Sequence, residues 1–307
     1  MRIEDLDSQL DSELSWRKKE ISSLNSIALN IDSQSDDTND KVLYTTVMKT
    51  LFLLLYSHWE GFVKKTSKMY LKYINEDKVV ASELTKNFTA LMLKKTINIC
   101  SEKESLQSLS ISNYLDFVEQ HEGKLRKKFK VDVKVDQDFD DGFIQTFSNL
   151  NYKNYKNIIN SLNLPLHDFF NNINNKIEVE DVNGEIQKVE YLTYLLDFNL
   201  LMLRNSIAHG GSSLPDLSFE NYRILEEKIL FIMNQHKLDI QEFCYKKFYK
   251  KANFLIMNEY IASQKVLVDE FFTNIDKQTN AADFEDENED NIIHLQAPPL
   301  EILDSTM

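Results

Sequence analysis

Glycine and proline are scarce in this chain, with six and four copies among 307 residues. Both residues interrupt helices, and apolar residues make up 42% of the sequence. This composition argues against a β-sandwich or a doubly wound sheet and favours long helices around a sizeable core. The length fits one large domain or two small ones.

Cysteines and long apolar runs are also rare. Cys100 and Cys244 lie far apart without metal-site spacing, so we expect free thiols. The longest apolar run, residues 51–56, is far shorter than the roughly 20 residues that cross a bilayer. The N-terminal residues are charged and do not resemble a secretory signal. We therefore expect a cytoplasmic protein with no membrane segment.

Known cofactor and metal motifs are missing as well. The sequence contains no Walker loop, G-x-G-x-x-G, H-E-x-x-H or G-x-S-x-G pattern. His167-Asp168 has no recognisable partner set. We predict that the protein uses no cofactor and no metal.

The net charge of −14 argues against simple binding to a polyanion. Nine acids and one base fall within residues 276–307, however, so the excess is partly a property of this segment. The segment also lacks hydrophobic periodicity, and we predict a disordered acidic tail there.

Two basic runs stand out against this acidic background. Aromatic residues interleave the second run, and cations among aromatics can bind phosphates and stack bases. The alternative, which we favour, is an amphipathic helix with buried aromatics and solvated lysines. The candidate RNA-binding cations are Lys124, Arg126, Lys127 and Lys128 in the first run, and Lys246, Lys247 and Lys250 in the second.

Hydrophobic periodicity predicts a mainly helical chain. Residues 122–165 hold at most a short strand or extended loop near Val131. Residues 176–190 predict a β-hairpin, because apolar and charged residues alternate around an Asn183-Gly184 turn. The predicted helices cover residues 3–31, 41–75, 78–100, 112–121, 166–175, 191–208, 219–236 and 238–275, with a loop over 212–218.

The polar group that ends the apolar run of residues 196–203 is the candidate site. It reads Arg204-Asn205-Ser206-Ile207-Ala208-His209 and is followed by Gly210-Gly211. Glycine after an apolar run is typical of a helix C-terminus. Five positions separate Arg204 from His209, so they do not share one stripe of an ideal helix. Either the last turn is distorted or a second chain completes the site.

These side chains suit metal-free cleavage of RNA by its own 2′-hydroxyl. The reaction needs a group that takes a proton, charge on the phosphorane and help for the leaving oxygen. Histidine titrates near neutrality, arginine keeps its charge and binds phosphate oxygens, and asparagine can orient either one. The alternative is a helix C-terminus whose cations only complement the helix dipole.

Two segments carry a resemblance to a known family. Arg204-Asn205-x-x-x-His209 resembles the R-x4-6-H motif of HEPN domains. The earlier SHWEGFVKK, residues 57–65, resembles the WEGF-V-K-like segment of MAE-type and RiboL-PSP-type HEPN-like nucleases. The resemblance covers roughly residues 40–235. The hairpin and the C-terminal extension lie outside the minimal domain of that family.

The resemblance implies a helical bundle that dimerises, with two motif helices meeting at the interface. It also implies metal-independent endoribonuclease activity, often in toxin–antitoxin or phage-defence systems. On this basis His209 is the general acid or base, Arg204 stabilises charge on the phosphate, and Asn205 orients one of them. The expected partners are RNA, a second copy of the chain, and an antitoxin or defence-system protein.

The second marker segment adds Glu60 to the candidate catalytic residues. A carboxylate is rarely buried without a partner, so we predict that Glu60 pairs with Arg204 or His209. Trp59 is expected in the core, and the role of His58 is open. Lys64 is a further candidate for RNA binding, although Lys64 and Lys65 fit a solvated face better.

We predict an all-α fold, a helical bundle of HEPN type with a small β-hairpin insertion. Its parts are an N-terminal helix and linker (1–40), the HEPN-like domain (41–236), a helical extension (237–275) and the tail (276–307). The first functional hypothesis is a metal-independent endoribonuclease that acts as a toxin or phage-defence effector. The alternatives are a non-catalytic HEPN scaffold and a mononucleotide sensor. Exposure of Arg204 and His209 favours catalysis, and burial of both favours a scaffold.

Overall fold

The computed structural model describes residues 1–31, 38–105, 111–137, 142–165, 177–180, 186–210 and 218–286. Within these ranges the fold is all-α, and the β structure is one antiparallel hairpin, which confirms the predicted fold class. Several predicted features lie outside the described residues. They are the helix over 166–175 with His167-Asp168, the Asn183-Gly184 turn, all but the last residue of the 212–218 loop, and the tail after residue 286.

The first four helices follow the predicted ones closely. Helix α3 begins later than predicted, because Lys78 has a left-handed φ of 54° and a short 3-10 helix, Ala81–Glu83, comes first. The helices are α1 (Ile3–Leu29), α2 (Thr38–Asp77), α3 (Lys86–Ser105) and α4 (Ile111–Leu125).

The segment after α4 contains an extended loop and one helix that the sequence analysis did not predict. Val131 lies in the loop and is buried, with its backbone N–H and carbonyl both bonded to the side-chain amide of Asn75. Helix α5 (Tyr152–Ser161) begins where the Asn151 side chain accepts a hydrogen bond from the Asn154 N–H. That side chain is a helix N-cap.

The predicted hairpin is present. Strands β1 (Ile177–Glu180) and β2 (Ile186–Val189) pair antiparallel, with Ile177 opposite Val189. Lys188 and Glu178 face each other across the pair at 3.0 Å. Opposite charges at such positions stabilise a hairpin modestly.

The two C-terminal helices divide the chain at a different place from the predicted one. Helix α7 (Phe219–Tyr245) continues through residue 237, and α8 (Phe254–Asp286) extends past residue 275. The break comes at Lys247, which has a left-handed φ of 53°, and the Phe248 N–H bonds to the Phe243 carbonyl. This is a Schellman-type helix end, formed here without the glycine that usually signals it.

The chain divides into two compact units. The first comprises Met1–Lys18, Trp59–His167 and Phe231–Gln264, and the second comprises Lys19–His58, Asp168–Leu230 and Lys265–Met307. No described helix is long and apolar enough to cross a membrane.

Aromatic pairs hold the core of the first unit. Trp59 packs edge-on against Tyr155 with ring centroids 4.6 Å apart, and Phe88 packs in the same way against Phe129 at 5.5 Å. All four side chains are almost fully buried. Edge-to-face pairs add to the free energy gained by burial.

The second unit is held by a comparable set of contacts. Phe52 of α2 packs against Tyr222 of α7 at 5.1 Å, and Tyr191 packs against Phe272 of α8 at 5.2 Å. The carboxylate of Asp276 accepts hydrogen bonds from the Tyr191 hydroxyl and from Lys228. Because Tyr191 precedes the candidate site in the chain, these contacts fix the helix that carries it.

Candidate functional site

The candidate site lies at the end of helix α6, residues 191–208, in the second unit. The helix is α-helical over Tyr191–Thr193, π-helical over Tyr194–Met202 and α-helical again over Leu203–Ala208. Its buried residues include Leu195, Leu196, Leu200, Leu201 and Leu203. The π-helix thus ends two residues before Arg204. Segments of π-helix are rare and occur frequently at functional sites.

The neighbours of Arg204 in the second unit include Asn205 and Tyr56. Its Nη1 donates a hydrogen bond of 2.7 Å to Oδ1 of Asn205. Its Cζ lies 5.0 Å from the ring centroid of Tyr56, a residue of α2 that is only 2% exposed. A guanidinium over an aromatic face gains a cation–π interaction. Arg204 is half-buried, so its charge is oriented but not enclosed.

His209 caps the same helix and is exposed. Its backbone N–H donates to the Asn205 carbonyl at 2.9 Å, and Gly210 follows with a left-handed φ of 69°. Asn205 therefore contacts Arg204 through its side chain and His209 through its backbone. The sequence analysis predicted one of these two roles for Asn205, the orientation of a neighbouring side chain.

The last turn, which contains Arg204 and ends before His209, is α-helical. The departure from α-helical geometry is the π-helical part, and it therefore lies before Arg204 and not between Arg204 and His209. At 3.6 residues per turn, positions five apart point about 140° away from each other. Of the two possibilities that the spacing left open, a distorted last turn is not observed, and a contribution from a second chain stays a prediction.

Glu60 belongs to the first unit, whereas Arg204 and His209 belong to the second. Its Oε1 accepts a hydrogen bond of 2.6 Å from the Thr146 hydroxyl and lies 3.8 Å from Nζ of Lys64. The carboxylate is therefore paired within its own unit. Its predicted pairing with Arg204 or His209 stays a prediction.

The rest of the SHWEGFVKK segment is buried or partly buried, except for the exposed Ser57. Trp59 is fully buried, as predicted. His58 is 5% exposed, and its Nε2 lies 3.0 Å from Glu20. The Lys64 and Lys65 side chains are 16% and 34% exposed, so Lys64 is mostly shielded from solvent and Lys65 is partly solvated. Nearby carboxylates explain their position.

One of those carboxylates belongs to an ion cluster that the sequence analysis missed. Glu13 lies 2.7 Å from Lys65 and 2.5 Å from the buried guanidinium of Arg17. Salt bridges and hydrogen bonds from the two cations lower the pKa of Glu13, although burial opposes the shift. A β-carbon at Gly61 would lie 3.5 Å from Nη2 of Arg17, which is an ordinary van der Waals distance, so the cluster does not require a glycine there.

For the second basic run we favoured an amphipathic helix with buried aromatics, and the helix is wrong for most of the run, because α7 ends at Tyr245 and turns follow it. Phe248 and Tyr249 are buried, and only Tyr245 is exposed, at 71%. Several cations of both runs are tied to neighbours. Lys124 donates to the Met92 carbonyl and Lys247 pairs with Asp77. Their binding of RNA stays a prediction.

Two surface pockets of about 440 and 380 Å³ lie in the first unit beside Lys72 and Glu76, and neither includes a candidate catalytic residue. Within the described ranges, no three His, Cys, Asp or Glu side chains are grouped as a metal site requires. Tyr56 is the contact of the candidate site that sequence analysis missed. No local signal links it to Arg204, because the two are brought together only by packing.

Comparison with known proteins supports the family that the two segments suggest. A family model described as HEPN_MAE_28990-like HEPN matches residues 6–249. Neither the curated proteins nor the solved structures contain a match to the chain. HEPN families are generally associated with ribonuclease activity. Since the match covers most of the sequence, including both marker segments, the chain belongs to the HEPN_MAE_28990-like HEPN family.

Proposed function

We propose that this protein is a metal-independent endoribonuclease whose site is formed by Arg204, Asn205 and His209. One observation carries the proposal. At the end of α6 an oriented guanidinium and an exposed imidazole are placed around the same asparagine. A buried polar group would favour the scaffold alternative, but neither Arg204 nor His209 is buried.

In the proposed reaction the 2′-oxygen of a ribose attacks the adjacent phosphorus while His209 takes the hydroxyl proton. The bond from phosphorus to the 5′-oxygen breaks, and that oxygen receives a proton from a second imidazole. The products are a 2′,3′-cyclic phosphate and a 5′-hydroxyl. Arg204 stabilises the negative charge that develops on the phosphorane.

A homodimer supplies the second imidazole. In one chain, Arg204 and His209 point to different sides of the helix, so facing copies of α6 would place the Arg204 of one chain near the His209 of the other. The groove between them would bind the RNA backbone. We further propose that the protein acts as a toxin or phage-defence effector, so that its expression slows cell growth.

The test is cleavage of a mixed-sequence RNA, followed by analysis of the product ends. We expect a cyclic phosphate and a 5′-hydroxyl, no cleavage of fully 2′-O-methylated RNA, and the same rate with a chelator present. General acid–base catalysis contributes about 10²–10⁴-fold, so His209→Ala should reduce the rate by at least about a hundredfold. Arg204→Ala should have a comparable effect.

His121→Ala and Arg2→Ala are matched controls, because both residues lie outside the candidate site and Arg2 is exposed. They should cleave like the wild type, and all four variants should keep the wild-type circular dichroism and melting temperature. Unchanged cleavage by His209→Ala would overturn the proposal. A dimeric wild type that cleaves no RNA would favour the scaffold, and binding of ATP in place of RNA would favour the sensor.

A further inference from the structure

The two basic runs, far apart in sequence, meet on one short segment of the first unit, residues 79–86. On one side Val80 forms an antiparallel bridge with Lys128, supported by the Phe129 N–H bonded to the Val79 carbonyl at 2.7 Å. On the other side Leu84 forms an antiparallel bridge with Lys250. Residues directly opposite in such a bridge lie about 5 Å apart, so one segment joins both runs.

The joined runs form a positive region on an acidic protein. Residues 76–86, 122–130 and 242–251 contain eleven lysines and arginines and five carboxylates, whereas the whole chain has a net charge of −14. The exposed cations of this region are Lys78, Lys86, Arg126, Lys127, Lys128, Lys130, Lys246 and Lys251. We call this region the basic surface.

Most of the carboxylates in the basic surface are already paired. Asp77 accepts hydrogen bonds from Lys247 and from the Tyr249 hydroxyl, and Glu242 lies 3.6 Å from Lys246. Lys127 and Lys128 have no ion pair with a described acid. Glu83 is an exposed carboxylate on the joining segment itself.

The backbone beneath these cations is fixed by hydrogen bonds and packing. The Ala81 N–H donates to the Lys127 carbonyl at 2.9 Å, and the Thr85 N–H donates to the Tyr249 carbonyl at 3.0 Å. Phe129 packs on Phe88, both in the core. The two runs therefore hold their relative position before any ligand binds, which lowers the entropic cost of binding.

We infer that the basic surface is one RNA-binding surface, in which cations of both runs contact the backbone of the same RNA strand. Exposed Tyr245, next to Lys246, adds an aromatic face on which a base can stack. That face favours RNA over an acidic protein segment as the partner. The inference rests on the proposed function for the choice of RNA, but it concerns binding in the first unit and needs no step of the cleavage reaction.

The test separates binding from cleavage by using a fluorescent 2′-O-methylated RNA of about 20 nucleotides, which the proposed reaction cannot cleave. Binding to the full-length protein is measured by anisotropy across a range of salt concentrations. Each phosphate contact with single-stranded nucleic acid contributes about 0.7 to the slope of log K against log salt. The double variants K127A/K128A and K250A/K251A should each lose about tenfold in affinity and lower the slope by about 1.4.

Three further measurements sharpen the result. The control is the double variant K19A/K153A, which removes two exposed lysines that lie outside the basic surface. Its RNA affinity should equal that of the wild type. Glu83→Gln removes the carboxylate of the joining segment and should tighten binding a few-fold. Titration of the Arg204→Ala variant, which lacks the proposed phosphate contact of the cleavage site, should give one RNA per chain, since one strand contacts both runs. All variants should melt at the wild-type temperature.

Wild-type affinity and slope in both double variants would overturn the inference, and so would two RNA molecules bound per chain of the Arg204→Ala variant. Displacement of the RNA by polyglutamate at equal charge concentration would assign the surface to an acidic protein segment and overturn it too. Cleavage of a trinucleotide, too short to contact both runs, reports on the Arg204 site alone. His209→Ala could abolish cleavage of the trinucleotide while the lysine variants bind RNA like the wild type. That combination would support the proposed function and overturn the inference about the basic surface.

Discussion

The two segments that mark this chain as a HEPN protein differ in their surroundings. In SHWEGFVKK, Trp59 is fully buried and Glu60 is paired with Thr146 within the first unit. In the second marker segment, RNSIAHG (residues 204–210), Arg204 is half-buried and His209 is exposed at a helix end in the second unit. Both segments contain polar residues in an apolar context, but the imidazole of His209 is exposed, whereas the carboxylate of Glu60 is 21% exposed and the imidazole of His58 is buried.

The comparison teaches that a family motif does not by itself indicate chemistry. In the first segment, Glu60 accepts a hydrogen bond from Thr146 and Lys65 pairs with Glu13. The polar residues of the second segment are oriented by neighbours and remain accessible to a substrate. Substitutions in the first segment should therefore change stability, and those in the second should change activity.

The largest expected effect in the first segment is that of Trp59→Ala. Removing a buried aromatic side chain leaves a cavity and costs about 3–5 kcal/mol, and here the edge-on contact with Tyr155 is lost as well. The free energy of unfolding from denaturant titration measures this loss. Trp16→Ala is the matched control, because Trp16 is 44% exposed and should cost about 1 kcal/mol or less. Equal losses in the two variants would contradict the assignment of the segment to the core.

The next effect depends on pH and concerns Asp239, which is buried in the same unit. Burial raises the pKa of Asp239 to about 7, although hydrogen bonds from Tyr260 and Gln235 oppose the shift. The folded protein therefore keeps a proton that the unfolded chain releases near 3.8. Stability from this group is lost as pH rises from about 4 to about 7.

Asp239→Asn should abolish that loss. The variant should match the wild type near pH 4 and exceed it at pH 8 by an amount on the order of 4 kcal/mol, because the pKa of Asp239 is raised from 3.8 to about 7 and each pKa unit corresponds to about 1.4 kcal/mol. Buried His236, whose pKa burial lowers to about 3, acts in the opposite direction below pH 6.5 in both proteins. Denaturant titrations at four pH values measure the difference, and a difference independent of pH would contradict this account.

The smallest effects come from the two glycines, one in each marker segment, and they should have opposite signs. Gly61 lies inside α2 with ordinary contact distance for a β-carbon, so Gly61→Ala should stabilise the protein by up to about 1 kcal/mol. Gly210 has a left-handed φ of 69°, so Gly210→Ala should destabilise it by about 1 kcal/mol. Thermal melts of the two variants measure both changes. Shifts of the same sign would contradict the different backbone roles of the two segments.

Much of the fold could be predicted because its signals are local. The hairpin follows from alternation at β1 and β2, and α1 and α2 follow from apolar periodicity. The α5 helix was missed although Asn151 is a typical N-cap, because its short amphipathic pattern lies in an otherwise irregular stretch. The end of α7 was missed because Lys247, not glycine, takes the left-handed conformation.

The candidate site was predictable in part. Helix α6 was predicted, but its π-helical part and the contact of Arg204 with Tyr56 were not. The pairing of both basic runs with the backbone of residues 79–86 was not predicted either. These features depend on backbone pairing and packing between distant residues, for which the sequence carries no local signal.

From the amino-acid sequence alone the protein could be recognised as helical and HEPN-like, and one histidine and one arginine could be named as the candidates for chemistry. These conclusions rest on residue identity and spacing, which are properties of the chain before it folds. Which polar residues are enclosed and which face solvent depends on the folded protein, since burial is set by what the rest of the chain places around each residue. For that reason Glu60 and Lys64 are paired in an interior while His209 is exposed.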